Sequence, residues 1–530
     1  MSAHWLVAVL TVTIISLGWA ACAEWPPRRD LSRDPMPVPY LESPSAEIAI
    51  DVGRQLFIDD YLIKKTDLKR TCHAARYIEG NPVLKPDKPW EMDTKSRDLP
   101  APTAMVFSDG VWYDPHDGLF KMWYMGGYVK STCYATSKDG LHWDKPELDV
   151  VAGTNIVQAI GRDSNTVWLD LEEKDPARRY KHFVYEHPGG GALSVYFSPD
   201  GIHWGERVAR SGPLGDRSTV FYNPFRKKWV YGIRAYQGGG LGRFRRYCEH
   251  EDVLEAAKWS GDEPPFWVGA DTLDRARDDL KTPCELYNLD CVAYESLMIG
   301  LFSIWRGQPQ DRAKPNELCV GFTRDGFHWH RPVHTAFIPV SETYGDWNWA
   351  NIQSAGGCCL VVGDELWFYV SARAGVKGSG ASGVCTTGLA TLRRDGFASM
   401  DASADGGTLI TRPVRFSGKH LFVNVDAPEG ELSVEVLDAE GQPIAPFTRE
   451  NCTPVSADKA LQPVQWQGAD DLSAVAGAPV HFRFHLRNGR LYSFWVSPDA
   501  SGASHGYVAA GGPGFTGPTD TVGAAGYPVP

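Results

Sequence analysis

With 530 residues the chain is too long for one ordinary domain, so two or three folded units are expected. A formal net charge of −12, from 53 Lys and Arg against 65 Asp and Glu, offers no basic stripe and excludes nucleic acid as a partner on charge grounds. Aromatic residues reach 12%, a content that serves both to fill β cores and to stack on sugar rings.

Residues 1–23 read as a secretory signal, with an apolar run at 6–17 and an A-x-A cleavage site at Ala21, Cys22 and Ala23. The apolar run is too short for a comfortable membrane span. The mature chain is therefore expected without a transmembrane segment and in a secreted or periplasmic location. Cys22 also permits a lipoprotein anchor, although Trp19 stands where a lipobox usually has Leu. Ten further cysteines permit disulfides in an exported chain. There is no C-x-x-C pair and no clustered His/Cys spacing, so neither a metal nor another cofactor is expected.

Residues 24–49 are a Pro-rich lead-in. The segment 55–63 reads as a strand that pairs with the last blade of a propeller and closes its ring. The propeller itself, 50–402, is announced by three near-repeats: SKDGLHW at 137–143, SPDGIHW at 198–204 and TRDGFHW at 323–329. Their ends lie 61 and 125 residues apart, one period and about two, which is the signature of repeated strand-and-turn units. Asp-Gly in each run is a tight-turn signal. Apolar strand runs fill five units between about 90 and 400, and 252–259 reads as a helix in place of the third unit's turn. From 403 to 500 the strands at 420–425, 431–436, 480–485 and 490–496 alternate, as in an antiparallel β-sandwich. The Gly-, Ala- and Pro-rich stretch 501–530 is expected to be a flexible tail. The fold class is thus all-β: a five-bladed β-propeller followed by a C-terminal β-sandwich.

In a propeller the innermost strands surround a channel, and polar residues where those strands begin face its mouth. Carboxylates recur there: Asp98 before blade one, Asp163 before blade two, Asp216 before blade three, Glu285, Asp290 and Glu295 around the inner strand of blade four, and Asp346 before blade five. Glycoside hydrolysis needs one carboxylic acid to protonate the leaving oxygen and one carboxylate as base or nucleophile, with pKa values split by environment. Asp163, Asp216, Glu285 and Glu295 are accordingly the expected catalytic residues. Asp98, Tyr287, Asp290, Tyr294, Asp346, Trp347 and Asn351 are expected to bind substrate, a carbohydrate, the aromatics by stacking. Each Asp taken singly suits an Asx turn equally well; their recurrence at equivalent positions joins them. The Asp-Gly-x-His-Trp runs fall at the outer ends of blades and read as staples.

Over about 50–500 the chain resembles, in layout and in part of its motifs, the five-bladed β-propeller glycosidases: the invertase and fructan hydrolases of glycoside hydrolase family 32, the arabinanases and xylosidases of family 43 and the mannoside phosphorylases of family 130. The run DRSTVFYNPFRKKWV at 216–230 is similar to the family 32 segment R-D-P-x-V-F-W…K-W-V, whose Asp stabilises the transition state. Asp216 and Arg217 stand in the reverse order, whereas Arg162, Asp163 and Ser164 keep it one blade earlier. The run NPVL at 81–84 with Trp90 and Glu91 is similar to the entrance segment of these families and implies Glu91 at the substrate. The W-x-N-D-P-N nucleophile motif is missing; Glu285 beside Cys284 is a loose counterpart of the E-C-P acid, and Glu295 competes for that role. The resemblance implies an exported glycoside hydrolase acting on a plant or algal oligo- or polysaccharide, with Asp163 or Asp216 as stabiliser or base and Glu285 or Glu295 as acid. Two alternatives stay open: a non-catalytic carbohydrate-binding propeller, and a phosphorylase, which needs a basic pocket to which Arg234 would contribute.

Overall fold

A computed structural model describes residues 25–261 and 263–527; the expected signal at 1–23 lies outside them. Five sheets form the blades. Blade one runs, from inside outward, Ala104–Asp114, Leu119–Gly126, Ser131–Ser137 and Ile156–Gln158. Blade two is Arg162–Leu169, Tyr180–Glu186, Leu193–Ser198 and Ala209–Arg210, and blade three is Thr219–Asn223, Lys228–Gln237, Gly242–His250 and Phe266–Gly269. Blade four is Glu285–Glu295, Leu297–Trp305 and Asn316–Thr323. Blade five sets Asn351–Ser354 and Leu360–Val362 on Glu365–Arg373, followed by Cys385–Arg393. The first strands pack on one another around a closed ring. Ala104–Asp114 is buried at every position but Tyr113, because neighbouring blades cover both its faces. Strands covered on both faces carry near-continuous apolar runs instead of alternation.

The three repeats are staples. In the first, Ser137 Oγ accepts from the Gly140 amide at 2.8 Å, and Asp139 Oδ1 accepts from the Leu141 and His142 amides at 2.8 Å each. Asp200 and Asp325 make the same bonds in the other two. Gly140, Gly201 and Gly326 hold φ of 74°, 79° and 80°, a region costly for any residue with a Cβ. Each loop carbonyl then takes a bond from the preceding blade. Trp123 of blade one donates to Gly201 O at 2.7 Å, Trp267 of blade three to Phe327 O at 2.8 Å, and Tyr369 of blade five to Gly140 O at 2.6 Å.

Several expectations need correction. The ring is closed not by 55–63 but by Arg76–Tyr77, which pairs with Cys385–Arg393 as the outermost strand of blade five. Gln55–Leu56 pairs instead with Gly489–Ser497 in the sandwich. Ile63–Thr66 and Lys69–Cys72 also belong to sandwich sheets, on Gly407–Thr411 and Ala398–Ala402, so the stretch 50–72 falls outside the propeller. The reason is visible in the packing: Phe57, Leu62, Ile63 and Leu68 join the sandwich core with Phe482, Phe484 and Phe494. Residues 501–527 are no flexible tail. Tyr507–Val508 pairs with the inner strand of blade four, and Ala503, Ser504, Ala510, Phe515 and Asp520 are buried. Small residues let this segment lie against other backbone: a Cβ on Gly512 would sit 1.7 Å from Val361 O. The segment 252–259 is a turn capped by the Asp252 carboxylate, which accepts from the Leu254 and Glu255 amides, instead of a helix. The ten cysteines from Cys72 to Cys452 are all free thiols.

Candidate active site

Three inner strands lose their ladder at the same end of the channel. Blade one skips from Met105 to Gly110, blade two from Arg162 to Asn165, and blade four from Leu286 to Asn288. The residues expelled from pairing are 106–109, Asp163 with Ser164, and Tyr287. Bulges of this kind re-aim side chains and gather beside functional sites. Blade three contributes Arg217, two residues before its first strand, with φ 61°. Phe107 has φ 49°. Left-handed backbone at a bulky residue costs on the order of 1–3 kcal/mol and persists only where surrounding contacts impose it. At Arg217 those contacts are Ser164 Oγ, accepting from its amide at 2.7 Å, and Arg245 Nη2, donating to its carbonyl at 2.9 Å.

The side chains so gathered carry both signs of charge. The Asp163 carboxyl receives no hydrogen bond among the described residues. Burial and the negative charge of Asp216 push its pKa up, against the pull of Arg217, Arg373 and Arg162. Asp216 is ion-paired with Arg234 at 3.1 Å. Glu285 is ion-paired with Arg243, which also donates its amide at 3.2 Å. Tyr287 Oη accepts from Lys314 Nζ at 2.5 Å; burial raises its pKa, but Lys314 and Arg373 win and hold it below the usual phenol value. Deeper in the channel, Asp290 accepts from Asn288 Nδ2 at 2.6 Å and from the Ser354 hydroxyl. Burial still pushes Asp290 up to about 6. Arg162 forks onto Asp109 at 2.7 and 2.8 Å and locks blade two to blade one. Arg245, spent on carbonyls, is pulled down to about 9 by burial and by Arg234 and Arg217.

Of the expected site residues, Asp163, Asp216, Arg234, Glu285, Tyr287 and Asp290 come together. Asn351 joins them indirectly, donating to the Lys314 carbonyl at 2.8 Å. The others lie elsewhere. Glu91 is buried, capping the short helix Pro89–Met92 and bonded to Tyr124 and Lys145 at 2.7 Å each. Asp98 is exposed in the turn between Lys95–Ser96 and Leu99–Pro100. Asp346 is exposed and bonded to Ser341, and Trp347 packs on Tyr77 at 5.3 Å. Glu295 and Tyr294 sit at the opposite end of the inner strand, against the sandwich. Both are fully buried there, Glu295 between Arg54 and Arg394, and Tyr294 on Asp395.

The expectations omitted Arg217, Arg373, Lys314, Arg243 and the Asp109–Arg162 pair. One signal was present. Ser108 and Asp109 interrupt an apolar run just before Gly110, which is how a bulge reads in sequence. Lys314 and Arg243 carry no such mark. Outside the channel, Asp271, Asp274 and His334 form the one grouping of metal-ligating side chains among the described residues. Arg331 already forks onto Asp274 at 2.6 and 2.8 Å, and His334 Nε2 lies 3.1 Å from Asp271, so both carboxylates already have protein partners.

No protein-family model matches the chain, and no curated protein does. Similar solved structures include an N-acetylgalactosamine deacetylase from F. plautii, 14% identical, over 59% of this chain and 97% of its own, with a TM-score of 0.39. An exo-β-1,3-galactanase from Phanerochaete chrysosporium, with β-1,3-galactotriose, is 10% identical over 80% of this chain and 99% of its own, with a TM-score of 0.34. A β-1,2-mannobiose phosphorylase from Listeria innocua, with β-1,2-mannobiose, is 12% identical over 60% and 96%, with a TM-score of 0.39. The three differ in activity, which leaves the chemistry of this chain to its own residues.

Proposed function

We propose that the chain is a glycoside-cleaving enzyme acting on an oligo- or polysaccharide at the bulged mouth of its propeller channel. Asp163 donates the proton to the leaving oxygen, and Asp216, paired with Arg234, serves as the carboxylate that attacks or activates water. The observation that carries this reading is the Asp163 carboxyl: expelled from its ladder by a bulge, without a hydrogen bond among the described residues, and set beside a second carboxylate. Two carboxyls in unlike surroundings are the minimum equipment for acid–base cleavage. Glu285, expected as the acid, is held in an ion pair with Arg243 and suits a positioning role better. Glu295 has no part in the reaction.

The test is Asp163→Asn and Asp216→Asn, assayed for reducing-sugar release from a panel of plant and algal glycans. Turnover is expected to fall about 10²–10⁴-fold in each, with glycan binding retained. A parent protein that binds glycans but cleaves none identifies a carbohydrate-binding propeller and overturns the proposal. A parent that cleaves only with added phosphate identifies phosphorolysis. Export, expected from residues 1–23, belongs to the same proposal and is checked by sequencing the N-terminus of the exported protein.

A further inference from the structure

Arg217 is a residue whose cost the fold does not explain. Its side chain is 1% exposed, yet Nε, Nη1 and Nη2 have no hydrogen-bond partner among the described residues. A buried donor left unpaired is destabilising, more so when it is charged, and such groups in folded proteins call for an explanation. Its guanidinium carbon lies 3.9 Å from the centre of the Phe107 ring, and both residues have left-handed backbone. Two unfavourable backbone conformations are thus maintained where one guanidinium meets one ring.

Other cations converge on the same place. Arg373, 6% exposed, lies 5.6 Å from the centre of the same Phe107 ring, and no residue described here hydrogen-bonds its guanidinium. Arg217 is 5.9 Å from the centre of the Tyr287 ring, and Lys314 Nζ is 4.4 Å from it. The nearby carboxylates do not use these donors up. Asp163 lies within electrostatic reach of Arg217 and Arg373 but accepts no hydrogen bond from either among the described residues, Asp216 and Glu285 are committed to Arg234 and Arg243, and Asp290 takes its bonds from Asn288 and Ser354. Planar forks with free donors match a planar carboxylate or a sulfate, whose oxygens accept several N–H bonds together.

We propose that Arg217, Arg373 and Lys314 form a subsite for an oxyanion carried by the sugar itself, so that the glycan is acidic: a uronate or an O-sulfated saccharide. The proposal rests on the cleavage site described above, and it names the class of sugar that site takes. The oxyanion docks on the Arg217 fork over Phe107, Arg373 supports it from the blade-five side, and Lys314 reaches it from beside Tyr287. The same donors would accept free phosphate, the source that a phosphorylase would use, and the experiment separates the two.

The full-length protein is titrated calorimetrically with galacturonate and glucuronate oligosaccharides, O-sulfated galacto-oligosaccharides, their neutral counterparts and inorganic phosphate. The same measurements are made on Arg217→Gln, Arg217→Lys and Lys314→Met, each checked for parental circular dichroism. An acidic saccharide is expected to bind at least 10-fold more tightly than its neutral counterpart, and Arg217→Gln to lose that preference. Arg217→Lys, which keeps the charge and loses the fork, should retain only part of it. Should Arg217→Gln not fold, Lys314→Met, altering a partly exposed side chain, is expected to lower the preference several-fold and carries the test. Equal affinity for acidic and neutral saccharides, or a preference unchanged in all variants, overturns the proposal. So does cleavage that depends on added phosphate, because the oxyanion would then come from solution. Cleavage of neutral glycans with no acidic preference would sink this proposal and leave the proposed function standing. Acidic binding without any cleavage would do the reverse.

Discussion

Replacing Glu295 with Ala separates a structural carboxylate from a catalytic one. Its two oxygens accept from the Arg54 amide at 3.1 Å, the Ser504 hydroxyl at 2.7 Å and Arg394 Nη2 at 3.1 Å, and lie 3.4 Å from Arg54 Nε. Arg54, Arg394, Asp395 and Asp520 complete the cluster, and every member is 0% exposed. Removal of Glu295 leaves two buried guanidiniums short of one counter-charge. Breaking a buried ion pair from one side costs about 3–5 kcal/mol. With about 2.1 cal/mol/K of unfolding entropy per residue and roughly 500 residues unfolding together, the apparent Tm should drop by about 3–5 °C. Differential scanning calorimetry reads this directly, beside Asp163→Asn, whose Tm should stay within about 2 °C of the parent. The reasoning is refuted if Glu295→Ala keeps the parental Tm while turnover collapses, for then the carboxylate acts on substrate.

Asp290 makes stability depend on pH. Its pKa of about 6 lies above the unfolded value of about 3.9, so the folded state holds the proton more tightly. The stabilisation is complete below pH 4 and declines by about 3 kcal/mol as pH rises through 6. Asp290→Asn should match the parent Tm at pH 4 and exceed it at pH 7.5; an equal difference at both pH values would rule this out. Gly201→Ala places a Cβ 2.4 Å from the Trp123 ring at φ 79°, whereas Gly153→Ala, at φ 74°, meets nothing within 4 Å. Chemical denaturation should show Gly201→Ala the worse by about 1–3 kcal/mol, the cost of overpacking; equal losses would mean that the staple adds nothing. Truncation after residue 502 removes Ser504, Asp520 and Tyr527 from the Arg54–Arg394 cluster. It should broaden thermal unfolding and increase binding of a hydrophobic dye, while an unchanged transition would restore the flexible-tail reading.

The propeller was legible in sequence because three of its blades, one, two and four, repeat a local signal. Asp139, Asp200 and Asp325 bond to amides two and three residues ahead, a geometry that leaves the same seven letters wherever it occurs. That Asp163 and Asp216 lie beside one another was legible for a related reason, since they stand at equivalent points of successive units. What escaped was what depends on distant partners. Glu295 and Tyr294 follow Asp290 on one strand and look equivalent to it. Whether they face the channel mouth or the sandwich is decided by Arg54 and Asp395, far away in the chain. Arg217 was noted only for its reversed order with Asp216, because an arginine's unpaired donors cannot be seen until its surroundings are. The segment 501–527 misled by composition: Gly and Ala signal disorder when nothing covers them, and here they permit close backbone contact.

The exchange of strands between the two bodies has a consequence for how the chain can be divided. Residues 55–72 leave the sandwich to reach the outermost strand of blade five at Arg76–Tyr77, and Ala398–Ala402 returns to the sandwich directly after that blade. The sandwich therefore buckles both ends of the ring, and Tyr507–Val508 then passes back into blade four. Prying blade five from blade one means peeling strands out of the sandwich as well, so the two should melt in a single transition. A cut between 402 and 407 divides both sandwich sheets and takes Tyr507–Val508 from blade four, so the C-terminal half expressed alone would retain no complete sheet.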